Sequence, residues 1–187
     1  MTTEPNAADE PDAYERLITL LDEAGARYRV IDHEPEGRTE LVSVLRGNPI
    51  ERAAKCLIAM IKIGKKQTRY ALAVVSGDRR VDLQELKTLY GGTYVAFASA
   101  DRAEALAGSV SGTILPFSFH PDLELVADPA LLEHETIFFN AARLDRSLEL
   151  HTADYVRLAA PRVHPVAQPL AQPLTQPLTQ PVAKEPV

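Results

Sequence analysis

Residues 54–75 read Ala54-Lys-Cys-Leu-Ile-Ala-Met-Ile-Lys-Ile63, then Gly64-Lys-Lys-Gln67, then Thr68-Arg-Tyr-Ala-Leu-Ala-Val-Val75. From residue 53 to 63 the chain is apolar apart from Lys55 and Lys62. A strand with one wet face alternates polar and apolar residues, whereas one covered on both faces does not. The first run therefore predicts a central strand. Gly64 to Gln67 turns the chain back, and Tyr70–Val75 predicts its antiparallel partner.

Upstream, Leu17, Ile18, Leu20, Leu21 and Ala24 fit an amphipathic helix that starts near Asp12 and stops at Gly25. Tyr28, Val30 and Ile31 predict a strand running into His33-Glu34-Pro35. Residues 39–46 predict a short helix closed by Gly47-Asn48-Pro49. Downstream, Asp82 is placed as the N-cap of a helix through Leu83, Leu86 and Leu89, with Glu85 completing a capping-box pattern. Further strands are expected at 94–98, 123–126, 136–139 and 147–150, and helices at 101–106 and 152–158. Without a regular βαβ rhythm, the expected class is α+β with a mixed, largely antiparallel sheet flanked by helices.

The 187 residues suit one domain with a real core. Residues 1–11 read as a disordered leader, residues 12–160 as the domain, and residues 161–187 as a disordered tail. The tail repeats proline every fourth residue from Pro165 to Pro181, a spacing that denies helix and sheet and leans toward polyproline II. No apolar run approaches the roughly 20 residues of a membrane span. The N-terminus lacks the basic and apolar regions of a signal peptide. A single cysteine, Cys56, excludes internal disulfides and suits a reducing cytoplasm. The net charge of −6 argues against broad nonspecific binding to nucleic acid, DNA included. The cluster Lys62, Lys65, Lys66 and Arg69 reads as a solvated hairpin tip.

Five scattered histidines and one cysteine provide no metal-ligand spacing, so neither metal nor cofactor is expected. Gly108-Ser-Val-Ser-Gly112 has Val110 at its centre and is no nucleophile elbow. A polar set in apolar surroundings remains: His33, Thr39, Arg46, Lys55, Asp78, His120, Asn140 and Ser147. Lys55 must snorkel, pair with an acid, or line a cleft as a cation for phosphate or a polarised ester. The loop from Gly108 to Pro121 is either a tight turn or a backbone site. In the second reading, the N–H groups of Thr113 and Ile114 hold a developing oxyanion. Gly112 is then glycine either because substrate meets bare backbone or because the turn needs positive φ.

The order His33-Glu34, Thr39-Glu40, Arg46-Gly47, Ala54-Lys55-x-Leu57, Gly77-Asp78-x-x-Val81-Asp82-x-x-x-Leu86, Gly112-x-x-x-Pro116-Phe117 resembles the YbaK/ProX aminoacyl-tRNA editing domains. The resemblance covers roughly residues 13–160. Pro116-Phe-Ser-Phe-His-Pro121, Phe139-Asn-Ala, Leu144-Asp-x-Ser147 and Thr152-Ala-Asp-Tyr155 look most like its YeaK branch. It implies a curved, barrel-like sheet and hydrolysis of the ester joining a wrong amino acid to a tRNA 3′ end, with no catalytic metal or invariant nucleophile. It also implies that Lys55 helps hold that end and that the loop from Gly112 to Pro116 lines the amino-acid pocket. On this reading Lys55, Gly112 and Thr113 carry catalysis. His33, Thr39, Arg46, Pro116, His120, Asn140 and Ser147 contact substrate.

Oriented water and a backbone oxyanion site can be enough for an activated ester. The vicinal tRNA hydroxyl is one candidate to assist the water, and His120 is another. Asn140 and Ser147 depart from the family pattern, and their hydrogen-bonding groups suit a small side chain such as serine, threonine or alanine. The expected partner is a mischarged aminoacyl-tRNA, with an aminoacyl-tRNA synthetase as a second candidate and no membrane. The competing function is a noncatalytic module that holds a tRNA end or a synthetase in the same pocket.

Overall fold

The computed structural model describes residues 12–170. β2 (Ala54–Ile63) and β3 (Gln67–Ser76) form the expected antiparallel hairpin, in register from Ala54 opposite Ser76 to Ile63 opposite Gln67. Their alternate residues enter two cores. Ile58, Leu72 and Val74 pack with Leu17 and Leu21 of α1 (Ala13–Glu23), while Ala59, Ile61, Ala71, Ala73 and Val75 pack with Leu86. Burial on both faces is why the sequence shows no alternation there.

β5 (Tyr94–Phe97) pairs antiparallel with β2, and β6 (Leu123–Ala127) pairs parallel with β3. β9 (Arg162–Val163) adds to β6 in parallel, completing a mixed five-stranded sheet. A second, antiparallel sheet has the order β1 (Tyr28–Asp32), β8 (Arg146–His151), β7 (Thr136–Asn140). The α+β class and mixed, mainly antiparallel pairing are as expected. The strands divide among separate sheets, however, and the two larger ones join at a single bridge between Ala53 and Phe138. That join sets the start of β2 beside the end of β7.

α2 (Thr39–Arg46) follows β1 and ends on Gly47 in the left-handed conformation. α3 (Leu83–Leu89) is capped by Asp82, whose side chain accepts from the N–H groups of Gln84 and Glu85. The reciprocal capping box forms instead at α1, between Asp12 and Glu15. α4 (Ala100–Ala107) leads into the Gly/Pro loop. α5 (Pro129–Leu132) and α6 (Thr152–Ala159) complete the helices among the described residues.

The boundary expected at residue 160 is corrected by the chain that follows it. Besides β9, a strand β10 (Ala167–Pro169) pairs antiparallel with β4 (Arg79–Val81). Between them Val166 is fully buried in the second core. The buried Asp128 carboxylate accepts from the N–H groups of Val166 at 2.9 Å and Ala167 at 2.8 Å. The proline spacing concealed a docked segment, because one buried side chain and an acid 38 residues away hold it. The expected leader at 1–11 and the tail beyond Leu170 lie outside the described residues.

Candidate active site

At the join of the two sheets lies a cavity of about 280 Å³, near the lower end of the roughly 300–1,000 Å³ usual for ligand sites. β2 contributes Lys55, α2 contributes Thr39, Glu40 and Arg46, β7 contributes Asn140, and the Gly/Pro loop contributes Gly112 and Ile114. Ala54 and Phe139 supply apolar wall. Four of the expected substrate contacts and catalytic residues therefore share one cavity with Gly112.

Lys55 is half-buried, and its Nζ donates to the Gly77 carbonyl at 2.9 Å. No acid among the described residues lies within ion-pair distance of it. Burial lowers its pKa below the ordinary lysine value, and the charges of Glu40 and Asp78 oppose that shift. Of the three readings open for Lys55, the cleft-lining cation fits. Gly77 can offer its carbonyl only as glycine, since a Cβ there would stand 2.6 Å from the Ile50 carbonyl oxygen. Arg46 is a second cation of the cavity, lowered to about 10 by burial. It donates to three neutral oxygens: Asn48 Oδ1 at 3.0 Å, Ser147 Oγ at 3.3 Å and Ser43 Oγ at 3.5 Å.

Behind the cavity a hydrogen-bonded wall links four distant segments. Asn140 Nδ2 donates to the carbonyls of Glu36 at 2.8 Å and Gly112 at 3.0 Å. With both amide hydrogens committed, Oδ1 accepts from the Ser147 hydroxyl at 2.9 Å. That hydroxyl oxygen then accepts from Arg46, and His33 Nε2 lies 2.7 Å from it. His33 Nδ1 faces the Glu34 carbonyl at 2.8 Å.

This geometry corrects several expectations. Asn140 and Ser147 are buried and commit every side-chain hydrogen to protein, so they brace the cavity and have no donor left for a substrate. Thr113 is fully buried, and its N–H and hydroxyl both donate to the Val110 carbonyl, at 3.0 and 2.8 Å. It cannot serve as an oxyanion donor. The neighbouring Ile114 N–H has no acceptor among the described residues, and Ile114 lines the cavity. Gly112 adopts φ +87°, and a Cβ would lie 2.9 Å from Gly37 Cα. Turn geometry and the Gly37 backbone thus require this glycine.

Pro116 is buried away from the cavity lining. His120 Nδ1 accepts from the Asp122 N–H at 3.1 Å, a bond local to its turn. Neither lines the cavity. Burial raises the Cys56 thiol well above its ordinary pKa, consistent with an inert core group. Sequence reading did not single out Glu40 as a site residue. It is the cavity's exposed carboxylate, and its position one residue into an exposed helix gave no signal of that role.

The comparisons with known proteins identify the family. The chain is 44% identical over 151 residues to the multifunctional Ser/Thr-tRNA deacylase ProXp-y of Escherichia coli K12, covering 80% of this chain and 90% of that protein. It is 29% identical over 125 residues to the prolyl-tRNA editing protein ProX of Acetoanaerobium sticklandii, covering 65% and 74%. A solved structure described as a putative trans-editing enzyme for prolyl tRNA synthetase superposes with a TM-score of 0.69 at 19% identity, over 86% of this chain and 99% of that one. Residues 33–158, spanning the cavity and the wall behind it, match the aminoacyl-tRNA editing domain, and the chain belongs to that family.

Proposed function

We propose that the protein is a trans-editing hydrolase that cleaves the ester of a mischarged aminoacyl-tRNA carrying a small amino acid such as serine, threonine or alanine. Lys55 carries the proposal: a half-buried cation in a cavity wall, bonded to one carbonyl and unpaired with any acid among the described residues. Such a group suits the negative charge of a polynucleotide end. The 44% identity to a Ser/Thr-tRNA deacylase supports the same substrate class.

In this reading the acylated terminal nucleotide enters past Lys55, and the small cavity holds the aminoacyl group. Glu40 is placed to meet its α-ammonium. Water adds to the ester carbonyl, and the negative charge forming on oxygen is met by the Ile114 N–H with Lys55 nearby. The C–O bond to the ribose then breaks, releasing the amino acid and the tRNA hydroxyl. Glu40, the cavity's one carboxylate among the described residues, is given to the α-ammonium, so the vicinal ribose hydroxyl is assigned the role of orienting the water. Selection in the braced cavity is by size, because its buried polar wall is already satisfied. A synthetase that releases such tRNAs is the proposed second partner, and the cytoplasm the proposed compartment.

The test is deacylation of a panel of tRNAs charged with serine, threonine, alanine and larger residues. Turnover of the small esters with loss of the large ones is expected. Tight binding of the acylated tRNAs without turnover would sink the hydrolase and leave the binding module.

A further inference from the structure

A second groove, of about 610 Å³, continues from the cavity and shares Lys55 and Leu57 with it. Arg80 of β4, Phe97 of β5 and Gln168 of β10 line it. Arg80 is exposed and pairs with no acid among the described residues, and its charge is felt at Lys55, where it lowers the pKa. Phe97 sits on an edge strand with 48% of its surface exposed. Gln168 stands directly opposite Arg80 in the β10–β4 pair, so the two side chains project to the same face. Asp82, the groove's acid, is committed to capping α3.

We propose that this groove binds the single-stranded 3′ end of an RNA, with one base stacked on Phe97 and the adjoining phosphate on Arg80. The inference rests on the hydrolase reading only for what enters the cavity beyond Lys55. An apolar face with an exposed ring suits a base of any identity, and a cation at its edge suits the backbone. The acidic net charge fits a contact limited to one or two phosphates. The docked strand β10 then forms the outer wall that keeps the RNA on Phe97.

The groove is tested with full-length protein on two substrates, seryl-tRNA and 3′-O-seryl-adenosine, which lacks the preceding nucleotides. Phe97→Ala should lower kcat/KM on seryl-tRNA by tenfold to a hundredfold, roughly the loss of one stacked base. The ratio of tRNA to adenosine-ester activity should fall by at least about tenfold. Phe97→Trp should restore that ratio, which Phe97→Leu should not. Arg80→Ala should flatten the log–log salt dependence of KM by about 0.7, one single-strand phosphate. Anisotropy of a fluorescein-labelled RNA ending in CCA reads binding without chemistry. An inactive protein that binds this RNA through Phe97 and Arg80 would retain the groove and dismiss the hydrolase. Wild-type kcat/KM on seryl-tRNA in both Ala variants would overturn the groove, as would equal losses on both substrates. If removing residues 171–187 raises activity and Phe97→Ala cancels the gain, the chain's own tail is the occupant and the RNA proposal falls.

Discussion

The two sides of the cavity handle polar groups in opposite ways. On the wall, Asn140 and Ser147 are buried and every hydrogen they own is committed to protein. At the mouth, Lys55 spends one of its three N–H groups on Gly77, and Glu40 and Ile114 offer groups with no partner among the described residues. Sequence reading assigned substrate selection to the wall because its residues are polar. Folding shows that the polar groups there brace the cavity, and our proposal gives the chemistry to the side with donors to spare. A buried donor left unpaired is costly, so a satisfied wall cannot trade its bonds for a ligand without a similar loss. A half-open mouth has no such constraint.

The contrast is tested most strongly at Lys55. Lys55→Ala should reduce kcat/KM for deacylation on the order of 10²- to 10³-fold, the effect of removing one transition-state donor. Its stability should change by less than about 1 kcal/mol, since one lost hydrogen bond is offset by relief of a partly desolvated charge. Lys55→Arg keeps charge but presents a planar fork, and should recover only part of the activity. A collapse in stability with activity preserved would move Lys55 to the structural side.

The fold also relies on the segment beyond residue 160. Truncation after Arg162 removes Val166, whose full burial is worth roughly 1.5–3 kcal/mol. It also strips the Asp128 carboxylate of two backbone donors. The melting temperature should fall clearly, whereas truncation after Leu170 should leave it unchanged. Equal melting of the two truncated chains would show that β10 contributes nothing.

On the wall the expected readouts reverse. Asn140→Ala abandons the Gly112 and Glu36 carbonyls and the Ser147 hydroxyl, and should cost about 1–3 kcal/mol. In a double-mutant cycle with Ser147→Ala the two changes should be coupled by about 0.5–3 kcal/mol. Additive effects would mean that the wall is not one network. Gly112→Ala belongs with these. Positive φ costs about 1 kcal/mol, and the Gly37 backbone must shift as well. A lower denaturation midpoint with equal losses on seryl and alanyl esters is expected. A normal midpoint with losses ordered by substrate size would restore the reading in which substrate meets bare backbone.

Much of this was legible in residue order. The unbroken run from 54 to 63 announced a strand covered on both faces, while Lys55 within it left snorkelling, an acid pair and a cleft all open. The helix stops at Gly25 and Gly47 fell where the chain takes positive φ. What stayed hidden depended on partners far away in sequence. The saturation of Ser147 needs His33, 114 residues earlier, and the docking of Val166 needs Asp128. Thr113 looked free because the carbonyl that takes its N–H, on Val110, is a matter of loop geometry. Local pattern tells which residues are polar; only tertiary contact tells which polar groups remain unspent.

The smallest expected effect separates wall from surface. Glu36 lends its carbonyl to Asn140, while its carboxylate accepts from the N–H groups of Gly37 and Arg38 and from the Arg38 guanidinium. The Arg38 side chain, then these backbone donors, hold the Glu36 pKa down to about 2. A carboxyl depressed on folding adds stability above its unfolded pKa, near 4.5, and loses it as pH falls toward the folded value. Wild type should therefore melt slightly above Glu36→Gln at pH 7, with the gap closing between about pH 4.5 and pH 2. Because the Arg38 half of the ion pair faces solvent, the gap should also shrink in high salt. Deacylation at pH 7 should change little, since the backbone carbonyl that meets Asn140 is retained. A loss of activity as large as that of Asn140→Ala would instead make the Glu36 carboxylate part of the wall, and would erase the boundary between the braced side of the cavity and the surface that carries it.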